Sequence, residues 1–257
     1  VDSEAFPNTF RRSMRTIALA LILSTLSGAA ASQTITTYWV DANRGADTNA
    51  GTFDKPFKSI TKGVAFGQRD AIIRVAPGTY SPSKTGEVFT IQFSGAHQNV
   101  RLIGESAETC IIDFEKAIGT RNAFYFYVDT GALNIEIAHL TMKNGEFRPT
   151  VPWYSSAIWW SSVVGMKLHH CRIEGCESGI YSANAAKDVF VHDNVFVGNN
   201  VPVRFRQDAA NGGGNQARFF ASAGGLTIAM GNILGVIEST PGLYLPTKSA
   251  GKRSGVN

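Results

Sequence analysis

The sequence has 257 residues, 44% hydrophobic and only 17% charged, against about 25% charged in an ordinary globular chain. With 26 Gly and 11% aromatics, that balance excludes an intrinsically disordered chain and argues against a Lys-, Glu- and Leu-rich helical bundle. It indicates β structure, and a net charge of +4 does not indicate nucleic-acid binding without a clustered basic patch.

The chain begins with an address. Arg11, Arg12 and Arg15 precede an apolar run from Ile17 to Leu26, and Ala29-Ala30-Ala31 offers a small-residue cleavage site. Charged start, short apolar centre and small-residue end are the marks of a secretory signal peptide. The run is too short to span a bilayer, which needs about 20 residues. A buried helix is the alternative reading. Residues 1–31 are therefore expected to be upstream sequence and signal peptide, with Met14 as the natural start. Residues 32–257 are the expected mature domain, secreted, periplasmic or on the cell surface. No second long apolar run suggests a membrane span. Cys110, Cys171 and Cys176 are an odd set and no disulfide framework. One bridge could form, but buried free thiols fit better, because Cys packs as a small apolar residue.

Next comes a turn-rich module. Tyr38-Trp-Val-Asp-Ala-Asn43 leads to Gly45, Asp47 and Asn49-Ala-Gly51-Thr52, then to Lys55-Pro-Phe-Lys-Ser-Ile60, and later to Ala71-Ile-Ile-Arg-Val-Ala-Pro-Gly-Thr-Tyr80. Asp47, Asn49 and Gly51 predict a tight turn, with a cation loop as the alternative. Phe57, Ile60, Val64 and Ala65 have the spacing of a short amphipathic helix over 57–66, with Pro56 at its first turn.

From there the chain repeats. Met166–Cys176 aligns with Val189–Asn199 at an offset of 23, with apolar residues and the penultimate Gly coinciding. Ile135–Gly145 and Leu226–Val236 fit the same frame. Each unit reads as strand, two-residue corner, strand. A third strand precedes it: Ala157–Ser161, Gly179–Ser182 and Pro202–Arg206, with Phe89–Phe93 and Phe124–Val128 filling that place earlier. Equivalent short strands at a constant offset predict a right-handed parallel β-helix of six or seven coils, about 30 Å long. Glu146–Ser156 and Gln207–Gly225 break the period and read as inserted loops. Gly251–Asn257 carries no recognisable cap, so further coils could follow.

The segment Tyr38–Tyr80 resembles the opening module of secreted bacterial pectate-lyase-like β-helix proteins, a module shared by a domain-of-unknown-function family. The resemblance implies an all-β, single-stranded right-handed parallel β-helix of the pectin-lyase-like fold. It also implies that the predicted helix caps the first coil. It implies an acidic polysaccharide as partner and, in the family's lyases, β-elimination with Ca²⁺ and a Lys or Arg base. Calcium needs six to eight oxygen ligands, and no D-D or D-x-x-D cluster appears in any coil. Asp188, Asp193, Glu174 and Glu177 are dispersed. No calcium ligand and no catalytic residue is therefore assigned, and no cofactor is evident in the residues themselves.

The third strand carries the candidate binding residues. If Ile158, Trp160, Ile180, Ser182, Val203 and Phe205 point inward, alternation puts Trp159, Tyr181, Arg204 and Arg206 outward. Tyr125 or Tyr127 would precede them, and Trp153 and Tyr154 would add a wall from the inserted loop. Aromatic rings stack on sugars and Arg forks pair with carboxylates. The same aromatics could instead pack against loops or one another. A different corner gathers His139, His169, His170, His192 and Asp193. They could hold a metal or tune an imidazole; as an outward polar stack beside a turn they need no ligand, so no metal site is assigned. The expected function is binding of an acidic polysaccharide by a monomer, with cleavage as an option, either as a polysaccharide lyase or as a glycoside hydrolase whose paired carboxylates the sequence does not name. The alternative is a non-catalytic surface or adhesion module.

Overall fold

A computed structural model of the full chain describes residues 34–117, 123–146, 155–183, 186–206, 217–220 and 227–229. The chain divides into two compact units, Val1–Thr34 and Ile35–Asn257. The expected signal peptide lies outside the described residues.

That unit is a right-handed parallel β-helix built from three parallel sheets. The first sheet holds seven strands: β1 (Thr36–Val40), β2 (Arg69–Val75), β5 (Gln98–Gly104), β8 (Leu133–Ala138), β11 (Lys167–His169), β14 (Val189–His192) and β17 (Ala217–Phe220). The second holds six: β3 (Gly78–Tyr80), β6 (Cys110–Asp113), β9 (Thr141–Lys143), β12 (Arg172–Glu174), β15 (Val195–Val197) and β18 (Thr227–Ala229). The third holds five: β4 (Ile91–Phe93), β7 (Ala123–Val128), β10 (Ser155–Ser161), β13 (Ser178–Ala183) and β16 (Val201–Arg206). Seven strands about 4.8 Å apart make the first sheet about 29 Å tall.

Alternation explains which side chains fill the bore. In β2, Ala71, Ile73 and Val75 are buried while Ile72 and Arg74 are not. Ile73, Leu102, Ile137, Leu168 and Val191 then stand in register through five coils, all fully buried. Burying each such side chain contributes about 2 kcal/mol. Trp160 is fully buried in the same core, and its indole N–H donates to Ser182 Oγ at 2.7 Å. All three cysteines are free and buried.

Stacked polar side chains stabilise the starts of the first-sheet strands β2, β5 and β8. Asp70, Asn99 and Asn134 adopt left-handed backbone (φ 48°, 57° and 53°). Asn99 Nδ2 donates to Asp70 Oδ1 at 2.7 Å and Asn134 Nδ2 to Asn99 Oδ1 at 2.8 Å. Asn194 and Asn199 turn inward instead. Asn194 accepts from the Cys171 N–H and donates to the Leu168 carbonyl; Asn199 does the same with Cys176 and Ile173. Each therefore ties its own coil to the one before it.

Helix α1 (Ile60–Phe66) starts three residues later than its apolar spacing predicts. Phe57 forms a bridge with Val40, and Ser59 is the N-cap. The Pro56 carbonyl accepts from Ala46 N–H and Asn49 Nδ2. The helix buries Ile60, Gly63 and Val64 and packs against β1, β2 and β4. Ala65 is exposed rather than buried. A short helix α2 (Pro82–Thr85) follows β3. The Asp47 turn is structural. Asp47 Oδ1 accepts from Lys58 and Ser59 N–H, and Ser59 Oγ donates to Oδ2 at 2.6 Å. Gly51 sits at φ 75°, where a Cβ would lie 2.3 Å from the Phe57 ring.

The repeat period is not the constant 23 residues expected. Leu168 pairs with Val191, 23 residues on, but Ala71 pairs with Val100 at 29 and Val100 with Ile135 at 35. Strand pairing fixes the register, so extra length goes into turns and loops at little energetic cost. The last coil also differs. Ala217–Phe220, expected inside a loop, pairs with β14. Thr227–Ala229, expected as the first strand of its unit, pairs with β15 and is the second. The Gly-rich stretch 211–215 separates them from β16 and hides the offset.

Candidate functional site

The third sheet presents one column of polar and aromatic residues. Gln92, Tyr127, Trp159, Tyr181 and Arg204 occupy the same register position on five successive strands. Their neighbours Phe126, Ile158, Ile180 and Val203 are buried in the core. Arg206 stands two positions after Arg204 on β16, level with Ala183.

The aromatic members stack along the coil axis. Tyr127 and Trp159 have centroids 4.5 Å apart with ring planes 13° apart; Trp159 and Tyr181 are 6.3 Å apart at 4°. Tyr127 is only 8% exposed and Tyr181 only 5%, while Trp159 is half-buried. The faces of Trp159 are therefore turned to its neighbours, and its edge is what the sheet presents. Below Trp159, the Tyr127 hydroxyl donates to Asp129 Oδ1 at 3.0 Å, and Gln92 Nε2 donates to Asp129 Oδ2 at 3.1 Å.

Tyr125 is not part of the column. It is fully buried, stacked on Phe114 at 3.8 Å and set edge-on to Phe89. Its hydroxyl accepts from the Glu146 N–H at 2.6 Å. Strand alternation alone gives Tyr125 and Tyr127 the same side. The corner residues Phe89 and Phe114 cover the first and leave the second on the ladder. Trp153 and Tyr154 lie outside the described residues. Sequence reasoning left Gln92 and Asp129 unnamed. Gln92 was findable as the outward residue of Phe89–Phe93; Asp129 follows a strand end and carries no motif.

A second group of polar residues lies at the corner between the first and second sheets. His139, His170 and Asp193 follow β8, β11 and β14 in left-handed conformation, at φ 57°, 53° and 54°. His169 pairs in register with His192, and their rings stack at 4.8 Å and 5°. His139 and His170 stack at 4.8 Å and 26°. His169 Nδ1 and His170 Nδ1 are 2.9 Å apart, and His192 Nδ1 is 2.8 Å from Asp193 Oδ2. Burial holds His139 and His169 below the usual imidazole range, helped for His139 by the neighbouring His170 charge. A groove of about 580 Å³ lies over this corner, lined by Glu108, His139, Lys143, His170, Arg172 and Asp193 among others.

Cys171 lines this groove and Cys176 lies at the next corner, both buried. Burial pushes the Cys171 and Cys176 thiols up to about 12, far from the reactive thiolate range. Among the described residues, no helix is long and apolar enough to cross a membrane.

No curated protein matches the chain. Among solved structures, it is similar to the native GH136 lacto-N-biosidase from Eubacterium ramulus. The identity is 12% and the TM-score 0.47, over 74% of this chain and 37% of that one. It is similar to the pectin methylesterase PemA from Erwinia chrysanthemi at 13% identity and TM-score 0.40, over 64% of this chain and 56% of that one. It is also similar to ORF18 of Geobacillus virus E2 at 12% and 0.33, over 87% and 43%. The chain thus spans a little over a third of the lacto-N-biosidase and about half of the other two. No site residue is carried over from them. A family model matches residues 43–255, including every strand from β2 onward and both residue groups described above. The chain belongs to the family described as a protein of unknown function, DUF1565.

Proposed function

We propose that this protein is exported and binds an acidic polysaccharide across the third sheet of its β-helix. The observation that carries the reading is the register column Gln92, Tyr127, Trp159, Tyr181 and Arg204. A column of strand positions about 4.8 Å apart matches an extended ligand laid along the coil axis. Sugar rings present apolar faces and edges that pack against aromatic edges, and the Arg204 and Arg206 positions add charge for uronate carboxylates. Cleavage of the bound chain is a further option of this reading, with no catalytic residue assigned. Export rests on the Arg11–Ala31 pattern, and a Ca²⁺ requirement on family resemblance alone.

Affinity electrophoresis tests the binding. The full chain is run through gels containing polygalacturonate, alginate or a neutral glucan. Retardation by an acidic polymer but not by the glucan supports the reading, and equal mobility in all gels rejects it. Ultraviolet absorbance of released unsaturated uronides separates cleavage from binding.

One observation favours a second reading, a non-catalytic surface module. Tyr127 and Tyr181 are nearly buried and stack on Trp159. Such a ladder buttresses a rigid rod without any ligand. In that case every gel mobility is the same.

A further inference from the structure

Four of the chain's five histidines gather at one corner of three successive coils; the fifth, His97, is spent inside the fold on the Val64 carbonyl. One ring nitrogen from each of His139, His169 and His170 lies within 4.8 Å of the others. The His169 and His170 Nδ1 atoms are 2.9 Å apart. Nitrogens bound tetrahedrally to zinc at about 2.1 Å are about 3.4 Å apart, so small ring rotations suffice. The other nitrogen of His169, Nε2, is 3.4 Å from Glu136 Oε1. A carboxylate behind the second ring nitrogen is what orients a ligating histidine. His139 and His170 also line the groove of about 580 Å³.

We propose that His139, His169 and His170 bind one divalent transition-metal ion of the zinc type, with Glu136 orienting His169 and one coordination position open to the groove. Three imidazoles suit zinc, copper or nickel, whereas calcium and magnesium require oxygen ligands. Three protein ligands with an open fourth position is the arrangement of zinc sites that accept water or a substrate oxygen. A second group, His170, His192 and Asp193, also comes within 4.8 Å. It is the poorer site, because His192 Nδ1 is taken by Asp193 Oδ2 and His170 Nε2 stands 4.0 Å from that oxygen. This inference is independent of polysaccharide binding on the third sheet.

Zinc chloride alone is titrated calorimetrically into the chelator-treated full chain. The expected result is one saturable equivalent per chain. His139→Asn and His170→Asn each weaken it about tenfold or more, and His192→Asn leaves it nearly unchanged. Asn tolerates the left-handed backbone at positions 139 and 170, so the corners are kept. Circular dichroism verifies each fold. A wild-type chain without saturable binding overturns the proposal, as does binding that both variants leave intact. Loss in His192→Asn with His139→Asn unaffected places the ion in the other group and equally overturns it. Should a variant not fold, Co²⁺ added to the wild type decides. Broadening of the His139, His169 and His170 ring resonances with His97 unaffected supports the site; no selective broadening contradicts it.

Discussion

Tyr127 and Trp159 lie in register on adjacent parallel strands, with ring centroids 4.5 Å apart and planes 13° apart. Tyr181 extends the stack on the other side of Trp159. The consequence is that Trp159 is at once a structural keystone of the third sheet and the most exposed ring of the column. Trp159→Ala is expected to destabilise the chain by about 3 kcal/mol, because it removes both stacks and leaves a gap between them. Trp159→Phe should recover most of that. Urea unfolding of both variants measures the difference.

The start of α1 leaves no backbone donor unpaired. Asp47 takes the Lys58 and Ser59 N–H groups, Glu87 takes those of Ile60 and Thr61, and Ser59 Oγ takes that of Lys62. Glu87 is 4% exposed, and burial raises its carboxyl above the usual range. Glu87→Ala therefore strands the buried Ile60 N–H and the part-buried Thr61 N–H and should cost about 3 kcal/mol. Thermal unfolding should show a clear fall in Tm, against a small one for a surface control such as Lys55→Ala.

Asn194 is fully buried and both accepts from Cys171 N–H and donates to the Leu168 carbonyl. A carboxylate in its place can accept but cannot donate. Asn194→Asp should therefore be more damaging than Asn194→Ala at neutral pH. Denaturant melts of the two variants at pH 7 give the comparison.

His97 links the β4–β5 turn to α1. Its Nδ1 accepts from Ser94 N–H at 3.0 Å, so Nε2 carries the proton donated to the Val64 carbonyl at 3.1 Å. Burial holds this imidazole below its ordinary value. The folded state therefore favours the neutral ring. Its contribution is present in full above the unfolded pKa of about 6.5 and is lost as pH falls through the folded value. His139 and His169 shift in the same direction. Stability should drop as pH falls from about 7 towards 5, and His97→Gln should flatten that drop while lowering Tm at pH 7. Melts across that range check both.

Much of the fold was legible because two simple patterns recur. Alternation named the core positions Ile158, Trp160 and Ile180, and the repeat placed the strands of β10 to β16. The early coils were less regular because 29 to 35 residues pass between paired positions there. The last coil was misphased because β17 follows the Gly-rich stretch 211–215, which carries no alternation and hides the offset from β16. The column at Trp159 and Tyr181 followed from strand alternation. That their rings face each other did not, since side-chain orientation along a ladder depends on the spacing of neighbouring coils. Tyr125 was misplaced because its cover comes from Phe89 and Phe114, which are distant in sequence. The proximity of His139, His169 and His170 was visible as an alignment, but the 2.9 Å approach of two ring nitrogens depends on a backbone turn that the sequence only hints at.

Everything proposed for the third sheet turns on whether the Trp159 column binds an acidic polysaccharide. Calorimetric titration of the full chain with defined oligogalacturonates tests it most directly, alongside Arg204→Ala and Trp159→Phe. Saturable binding that weakens about tenfold in Arg204→Ala is expected, since a charge-assisted contact is worth about 1.5–3 kcal/mol. A smaller loss is expected in the stack-preserving Trp159→Phe, with no binding of neutral glucan oligomers. Absence of binding by the wild-type chain, or affinity unchanged in both variants, would contradict it.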